Sequence, residues 1–266
     1  MTPATSRFLI MVAAAILLGV AAPAVSPAQP VFDAAHVGKP DSGSHAELYM
    51  PAAAVPVPAV IVMHGCDGVG RHYRDWAGLL QSWGYAALLV DSFRPRGKSN
   101  VCNRGREVPP RERAVDAFRA AGYLRTLPTI RADRVGVIGF SHGGWSALHA
   151  VLRDTAEAAR GLPLAAAVAF YPGCEQPTSP VVTDTLILIG DADDWTPWQR
   201  CQRWRDAVQT GGRMVRIKVY PGARHGFDSA SELHTYAGHL VGRDPAAAKD
   251  AEAETRAFLA ERLMGR

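Results

Sequence analysis

Short, continuously apolar runs alternate with longer helical patterns along this chain, and that alternation limits the folds open to it. The predicted strands cover residues 59–63, 85–90, 134–140, 165–171, 186–189 and 215–220, and the helical patterns cover 73–83, 110–127, 145–158, 197–209 and 246–263. Runs without polar alternation are typical of strands buried on both faces. Strands that alternate with helices predict one doubly wound, mostly parallel α/β sheet. Chemistry in such sheets gathers beyond the carboxyl ends of the strands.

The first thirty or so residues show the pattern of a secretory signal instead. Arg7 precedes an apolar run over 8–22, and small residues, including Ser26 and Ala28, follow it. The run is short for a membrane span of ~20 residues, so export is favoured over a retained anchor. We predict a signal peptide at 1–28, a single α/β domain at 29–266, and no stable membrane insertion after cleavage. The location would be periplasmic or secreted.

Charge and cysteines exclude some classes of function. The net charge is +4, and no aromatic interleaving or nucleic-acid motif accompanies the basic residues, so no nucleic-acid partner is expected. The arginine-rich segment 94–113 is interpreted either as a guide for anions or, with more weight, as a solvated loop that runs into an exposed helix. Four cysteines in an exported chain permit two disulfides in three possible pairings. None forms a Cys-x-x-Cys pair, so neither a metal nor another cofactor is predicted.

A serine stands in the sequence Gly139-Phe-Ser-His-Gly143, directly after one apolar run and before a helical pattern. This G-x-S-x-G arrangement, in its strand–turn–helix context, is typical of a strained turn that lifts a serine hydroxyl clear of the sheet. Ser141 is therefore the candidate nucleophile. The side chain of His142 should diverge from that of its neighbour at such a bend. We expect His142 to contribute its backbone N–H to an oxyanion hole, and not to act as the base.

A base and an orienting acid follow later strands. His225 lies in the loop after the run at 215–220, and Asp191, Asp193 and Asp194 follow the run at 186–189. The order Ser, Asp, His is that of α/β-hydrolase triads. Asp193 is preferred as the acid, and Asp194 is second because it is also a candidate cap for the next helix.

A second oxyanion donor is expected after the first strand, where a histidine-glycine turn places the N–H of Cys66. Cys66 could alternatively be a nucleophile, but nothing in the sequence places a histidine side chain beside its thiol. A disulfide or a packed thiol is the favoured interpretation.

These motifs resemble the dienelactone hydrolase branch of the α/β-hydrolases. The resemblance covers roughly 59–227 and rests on His64-Gly-Cys66, the Gly-Phe-Ser-His-Gly-Gly elbow, Phe170-Tyr-Pro-Gly173, Gly190-x-x-Asp193 and His225-Gly-Phe227. It implies an α/β-hydrolase fold of about seven or eight strands, with Ser141 as nucleophile, Asp193 as acid and His225 as base. It also implies oxyanion amides at Cys66 and His142, and its strand order implies the disulfides 66–102 and 174–201.

The chain departs from that family at two positions. The name-giving enzymes have a cysteine nucleophile where this chain has Ser141, and an arginine four residues after the histidine where it has Ser229. The resemblance therefore implies ester chemistry without implying the dienelactone substrate. Phe140, Tyr171, Trp195 and Trp198 lie near the same strand ends. They are interpreted equally as an acyl pocket, with Tyr171, Trp195 and Trp198 as the substrate-binding candidates, or as core packing.

Together these features predict an exported serine hydrolase that cleaves carboxylic esters or lactones of small molecules through an acyl-enzyme. Two alternatives stay open. One is a peptidase or amidase on the same scaffold, and the other is a non-catalytic envelope-binding protein. The sequence carries no signal for an oligomeric state.

Overall fold

The computed structural model describes residues 1, 32–38 and 45–265. Apart from Met1, the predicted signal peptide at 1–28 lies outside the described residues. An eight-stranded sheet has the order β1-β2-β4-β3-β5-β6-β7-β8, in which β2 runs antiparallel to β4 and every other pair is parallel. The predicted mostly parallel α/β-hydrolase sheet is confirmed. Within the described ranges, no helix has both the length and the apolar character needed to cross a membrane.

The strands of the main sheet and of one small hairpin are β1 (Val37–Gly38), β2 (Ala46–Tyr49), β3 (Val57–Met63), β4 (Ala86–Val90), β5 (Ile130–Phe140), β6 (Ala167–Phe170), β7 (Thr185–Gly190), β8 (Val215–Tyr220), β9 (His234–Tyr236) and β10 (His239–Val241). The helices are α1 (Arg71–Ser82), α2 (Pro110–Thr126), α3 (His142–Ala150), α4 (Arg153–Ala158), α5 (Trp198–Ala207) and α6 (Pro245–Leu259), and a π-helical turn, Ala260–Met264, extends α6. Single 3₁₀ turns lie at Ala34–His36, Arg94–Arg96 and Gly105–Glu107.

The core follows from the apolar runs. Every residue of β3, β4, β6 and β7 is buried, which is what continuous apolar strands covered on both faces require. Helices α2 and α3 pack against each other and on β5, and α1 packs on β3 and β4. The sheet is thereby fixed in place, and its carboxyl-terminal edge carries the loops that follow β3, β5, β6, β7 and β8.

One predicted helix is wrong in its extent. The pattern at 145–158 forms two helices, α3 and α4, because Leu152 leaves helical geometry (φ −84°, ψ 140°). Leu152 pairs instead with Val181 in an antiparallel bridge, and the N–H of Val182 donates to the Val151 carbonyl. A pairing between distant segments therefore overrides the local helical preference.

Both disulfides predicted from the family's strand order are present. Cys66, after β3, bonds Cys102 in the loop after β4, and Cys174, after β6, bonds Cys201 in α5. The strands in each case are neighbours in the sheet, which brings the paired loops together. The two bonds stand on either side of Ser141 at the edge of the sheet, and both line one cavity with it.

Candidate active site

Ser141 occupies the tight turn between β5 and α3. Its backbone has φ 52° and ψ −113°, a left-handed region that a residue with a Cβ adopts only under constraint. Two glycines make the turn possible. A Cβ at Gly139 would lie 2.1 Å from the Gly143 carbonyl oxygen, and one at Gly143 would lie 2.1 Å from the Met63 carbonyl oxygen. These distances are far shorter than a van der Waals contact, so neither position can carry a side chain in this turn.

The Ser141 hydroxyl faces His225. The distance from Ser141 Oγ to His225 Nε2 is 2.8 Å, and His225 Nδ1 lies 2.8 Å from Asp193 Oδ2. Because a carboxylate only accepts, the His225 proton belongs on Nδ1, which leaves the Nε2 lone pair to accept from the serine. The structure thus brings the three residues into one chain of hydrogen bonds.

Asp193 is fully buried and held as an anion by its neighbours. Its Oδ1 accepts from the backbone N–H groups of Trp195 and Thr196 at 2.9 and 2.8 Å, and its Oδ2 accepts from the Thr196 hydroxyl at 2.8 Å. Burial alone would raise the pKa of this carboxyl. The hydrogen bonds from His225 and Thr196 outweigh this effect of burial, so the pKa stays below its usual value. Asp193 is therefore ionised at neutral pH.

Asp194, the second choice for the acid, points elsewhere. Its side chain is about half exposed and lies 3.5 Å from His239 Nδ1. The structure places Asp191 differently again, because its Oδ1 accepts from the N–H of Gly222. Neither carboxylate contacts His225.

The backbone around Cys66 is oriented by a histidine. His64 Nδ1 lies 2.7 Å from the Gly65 carbonyl oxygen, and His64 Nε2 accepts from the N–H of Ser92 at 3.2 Å. In a trans peptide the C=O and the following N–H point in opposite directions. Fixing the Gly65 carbonyl on His64 therefore turns the N–H of Cys66 away from that ring.

The N–H of His142 is oriented by the helix that it begins. The Ser141 carbonyl accepts from the N–H of Trp145 at 2.8 Å, so the N–H across the same peptide projects out of the N-terminus of α3. Within the described residues, neither the Cys66 N–H nor the His142 N–H donates to a protein acceptor. Both amides stay available beside Ser141.

A cavity of about 280 Å³ opens at the serine. Tyr171 and Trp195 line it, and their rings lie 4.6 and 4.9 Å from the ring of His225. Trp198 is not among the lining residues; it begins α5 and packs against the core. Phe140, for which pocket lining and core packing were equally expected, is fully buried in the core, 5.0 Å from the ring of Phe170.

A second cavity, of about 270 Å³, shares Ser141, Cys66 and Trp195 with the first. Trp145, Arg106 and cysteines of both disulfides also line it. A larger groove of about 1000 Å³ lies beyond His72 and Asp228, but none of Ser141, Asp193 and His225 lines it. The chemistry therefore belongs to the two smaller cavities that meet at the serine.

Several residues at the site carry no signal in the sequence motifs. The side chain of Asp228 is buried and accepts from the Tyr171 hydroxyl at 2.7 Å and from Trp76 Nε1 at 2.8 Å. Burial raises the pKa of Asp228, while the nearby His72 and these hydrogen bonds lower it more, so the carboxylate stays charged. This carboxylate holds the Tyr171 ring against His225. Its place three residues after His225 is the only hint in the sequence.

The hairpin of β9 and β10 was also not predicted. The Gly242 N–H donates to the His225 carbonyl at 3.1 Å, and the Tyr236 hydroxyl accepts from Asn100 Nδ2 at 2.8 Å. The hairpin therefore closes one side of the first cavity and ties it to the loop of Cys102. Its strands are three residues each, and β9 is wholly exposed, so they leave no apolar pattern to recognise.

The arginine-rich segment is mostly neutralised by carboxylates. Arg94 contacts Asp91 and Arg106 contacts Glu175, while Arg96 lies 2.6 Å from Asp116. The interpretation of the whole segment as a solvated surface is wrong for Arg113, which is fully buried. The many charged residues near Arg113 in the sequence gave no indication that its side chain is buried.

Comparison with known proteins agrees with this architecture. A family model described as the dienelactone hydrolase family matches residues 45–263. A protein of Bradyrhizobium sp. named "Probable 2-oxo-3-(5-oxofuran-2-ylidene)propanoate lactonase" is 28% identical over 211 residues, which cover 70% of this chain and 82% of that protein.

Solved structures show the same fold at lower identity. A dienelactone hydrolase-like promiscuous phosphotriesterase from metagenomic libraries superposes with a TM-score of 0.62 at 21% identity, covering 82% of this chain and 92% of its own. A propionate-bound thermophilic esterase from Thermogutta terrifontis gives 0.61 at 18% identity, with coverage of 81% and 88%.

Proposed function

The chain belongs to the dienelactone hydrolase family, and from that premise we propose that it is an exported serine hydrolase of carboxylic esters or lactones. The observation that carries the proposal is the chain of two 2.8 Å contacts from Ser141 through His225 to Asp193. A serine hydroxyl is a weak nucleophile on its own, so it needs an adjacent base that a third group orients. The contacts of His225 with Ser141 and Asp193 support both roles.

In the proposed first half-reaction, Ser141 Oγ attacks the ester carbonyl carbon while His225 Nε2 takes its proton. Asp193 holds the Nδ1–H tautomer and stabilises the imidazolium that forms. The carbonyl oxygen becomes an oxyanion that accepts from the N–H groups of Cys66 and His142. Collapse of this intermediate breaks the bond to the alcohol, which takes the proton back from His225 and leaves an acyl-serine.

In the second half-reaction, His225 removes a proton from water, and the resulting hydroxide attacks the acyl carbon. The same two amides receive the second oxyanion. When the bond to Ser141 breaks, the serine regains its proton from His225, and the carboxylic acid leaves. The sum is one ester and one water converted into one acid and one alcohol.

The cavities support small substrates. Ser141 lies between two spaces of about 280 and 270 Å³, one for each arm of an ester. Each is smaller than the roughly 300–1,000 Å³ usual for sites of drug-sized ligands. We assign the space beside Tyr171 and Trp195 to a short acyl chain or a single ring.

The test is hydrolysis of p-nitrophenyl esters from acetate to octanoate by the wild type and Ser141→Ala. We expect the variant to fall to the background rate and the wild type to prefer acetate and butyrate. Ser82→Ala, at an exposed serine near the end of α1, is the matched control and should keep the full rate. A Ser141→Ala variant that turns over like the wild type would refute the mechanism.

Labelling with a fluorophosphonate separates the two alternatives from the proposal. A protein that is labelled at Ser141 but cleaves no ester would be an amidase or a hydrolase of a narrow lactone. A protein that is neither labelled nor active would be a non-catalytic binding protein, because a phosphonylated serine requires an activated hydroxyl.

Export completes the proposal, with a signal peptide at 1–28 and a single domain at 29–266. Two disulfides support it, since such bonds persist in oxidising compartments. Expression of the full chain in a Gram-negative host should yield periplasmic protein whose first residue is Gln29. Retention of uncleaved protein in the cytoplasm would contradict it.

A further inference from the structure

A buried arginine connects the two backbone segments that flank the serine. Arg113, on α2, has a fully buried side chain, whereas Arg111 and Arg119 on the same helix are exposed. Its Nη2 donates to the His64 carbonyl oxygen at 2.8 Å, and its Nη1 lies 2.7 Å from His142 Nδ1. One guanidinium therefore reaches both the loop after β3 and the first residue of α3.

The protons in this contact can be assigned. A guanidinium has only donors, so His142 Nδ1 must accept, and the proton of the imidazole must sit on Nε2. That Nε2 donates to the Gly105 carbonyl oxygen at 2.7 Å. Burial, with the charge of Arg113 adding to it, lowers the pKa of His142 to about 3, so the ring is neutral. Both ring nitrogens of His142 are therefore occupied by hydrogen bonds within the protein.

Phe93 makes this connection rigid. Its ring lies 4.7 Å from Arg113 Cζ, and the rings of His64 and His142 meet it edge-on at 4.5 and 5.7 Å. The guanidinium of Arg113 therefore packs against the Phe93 ring, while its two Nη atoms make hydrogen bonds to His142 and His64. A planar fork with two parallel donors can hold two acceptors at a fixed separation, which a single ammonium cannot do.

We propose that Arg113 is a positioning residue that holds the Cys66 and His142 amides at the spacing an oxyanion requires. The inference rests on the proposed ester-cleaving site. The His64 carbonyl belongs to the peptide that precedes Gly65, and the His142 ring is attached to the residue whose N–H is the other donor. A shift of either segment would misdirect a donor, and such donors act only when aimed at the developing charge.

The first test compares Arg113→Met and Arg113→Lys with Arg119→Met, the matched control on the exposed face of α2. We expect kcat for a p-nitrophenyl ester to fall about 10- to 100-fold in both Arg113 variants, somewhat less than the loss of a whole oxyanion donor. KM should stay within about threefold, because the donors act on the transition state and not on the bound ester. The control should match the wild type.

The second test measures the affinity of each variant for a trifluoromethyl ketone. This affinity would not change if Arg113 only stabilised the fold. The ketone's hemiketal with Ser141 places an oxyanion between the two amides, so its Ki should rise by the same factor by which kcat/KM falls. If Arg113→Lys keeps the wild-type rate, charge alone suffices and the role of the two-donor guanidinium is refuted. An unchanged Ki in a slowed variant would also refute it.

A second pair of variants applies if the Arg113 variants do not fold. His142→Asn keeps an acceptor near the place of Nδ1, whereas His142→Leu removes it and leaves the backbone N–H in place. We expect kcat to fall further in the leucine variant than in the asparagine variant, by about tenfold. Equal rates in the two would overturn the inference.

Failure of this inference differs from failure of the proposed function. If Ser141→Ala abolishes turnover while the Arg113 and His142 variants run at the wild-type rate, only the positioning role is lost. If Ser141→Ala leaves turnover intact, the ester-cleaving site itself is wrong.

Discussion

Replacing Asp193 by asparagine should separate the chemistry of the site from its fold. The amide oxygen of Asn would take the place of Oδ1, where the N–H groups of Trp195 and Thr196 both need an acceptor. The opposite orientation would set the amide NH₂ against these two donors. The NH₂ must therefore occupy the place of Oδ2 and face His225 Nδ1.

That orientation changes the tautomer of His225. An NH₂ donor 2.8 Å from Nδ1 excludes a proton there, so the proton moves to Nε2. Nε2 then donates towards Ser141 Oγ and can no longer accept its proton. The same substitution in a Ser-His-Asp triad of unrelated fold lowers kcat by about 10⁴, or about 5 kcal/mol in the barrier. We expect a loss of that size here, with little change in the melting temperature.

The assay is kcat for p-nitrophenyl butyrate beside a thermal melt for Asp193→Asn and Asp194→Asn. Asp194 is the neighbouring carboxylate, about half exposed and directed at His239, so its variant should stay within about threefold of the wild type. The reasoning is refuted if Asp193→Asn keeps a tenth or more of the wild-type kcat. It is refuted equally if Asp194→Asn shows the larger loss.

Three further predictions concern stability. Gly143→Ala should destabilise by about 3 kcal/mol in a urea titration, because its Cβ would meet the Met63 carbonyl oxygen at 2.1 Å. Gly122→Ala, with nothing within 4 Å of its Cβ, should instead be stabilised by up to about 1 kcal/mol, and similar values for both would contradict the packing argument. Reducing the two disulfides, which span 36 and 27 residues, should remove about 3.5 kcal/mol each. Thiol titration should first show that both disulfides are fully reduced. An unchanged melting temperature in that reduced protein would contradict the prediction. The lowered pKa of Asp228 contributes stability that is present at neutral pH and is lost as the pH falls below about 4. The acid-induced loss should therefore be shallower in Asp228→Asn, and identical acid titrations would count against that account.

The sheet was predictable because its signal is local. Strands β3, β4, β6 and β7 are uninterrupted apolar runs in the sequence, and every one of their residues is buried, as a sheet covered on both faces requires. The candidate site followed from the same property, since Ser141, Asp193 and His225 each stand just beyond such a run. Parallel strands bring those positions to one edge of the sheet whatever the intervening loops contain.

What the sequence did not reveal depends on contacts between distant segments. The break between α3 and α4 requires Val181 as a partner for Leu152, and nothing near position 152 announces it. Trp195 and Trp198 lie three residues apart after one strand, yet only Trp195 lines the cavity. The direction of a side chain in a loop is set by the neighbours it meets, and aromatic character alone does not report it.

Three histidines at this edge of the sheet illustrate how neighbours divide the roles of one residue type. Both ring nitrogens of His64 are hydrogen-bonded to backbone groups, the Gly65 carbonyl and the Ser92 N–H. Both ring nitrogens of His142 are hydrogen-bonded as well, one to Arg113 and the other to the Gly105 carbonyl. Since a neutral ring has one donor and one acceptor, these two have none left for a substrate. His225 differs, because its Nδ1 is bonded to Asp193 and its Nε2 faces the hydroxyl of Ser141. Which ring can accept a proton therefore follows from what already occupies the other nitrogens, and not from closeness to Ser141 in the sequence.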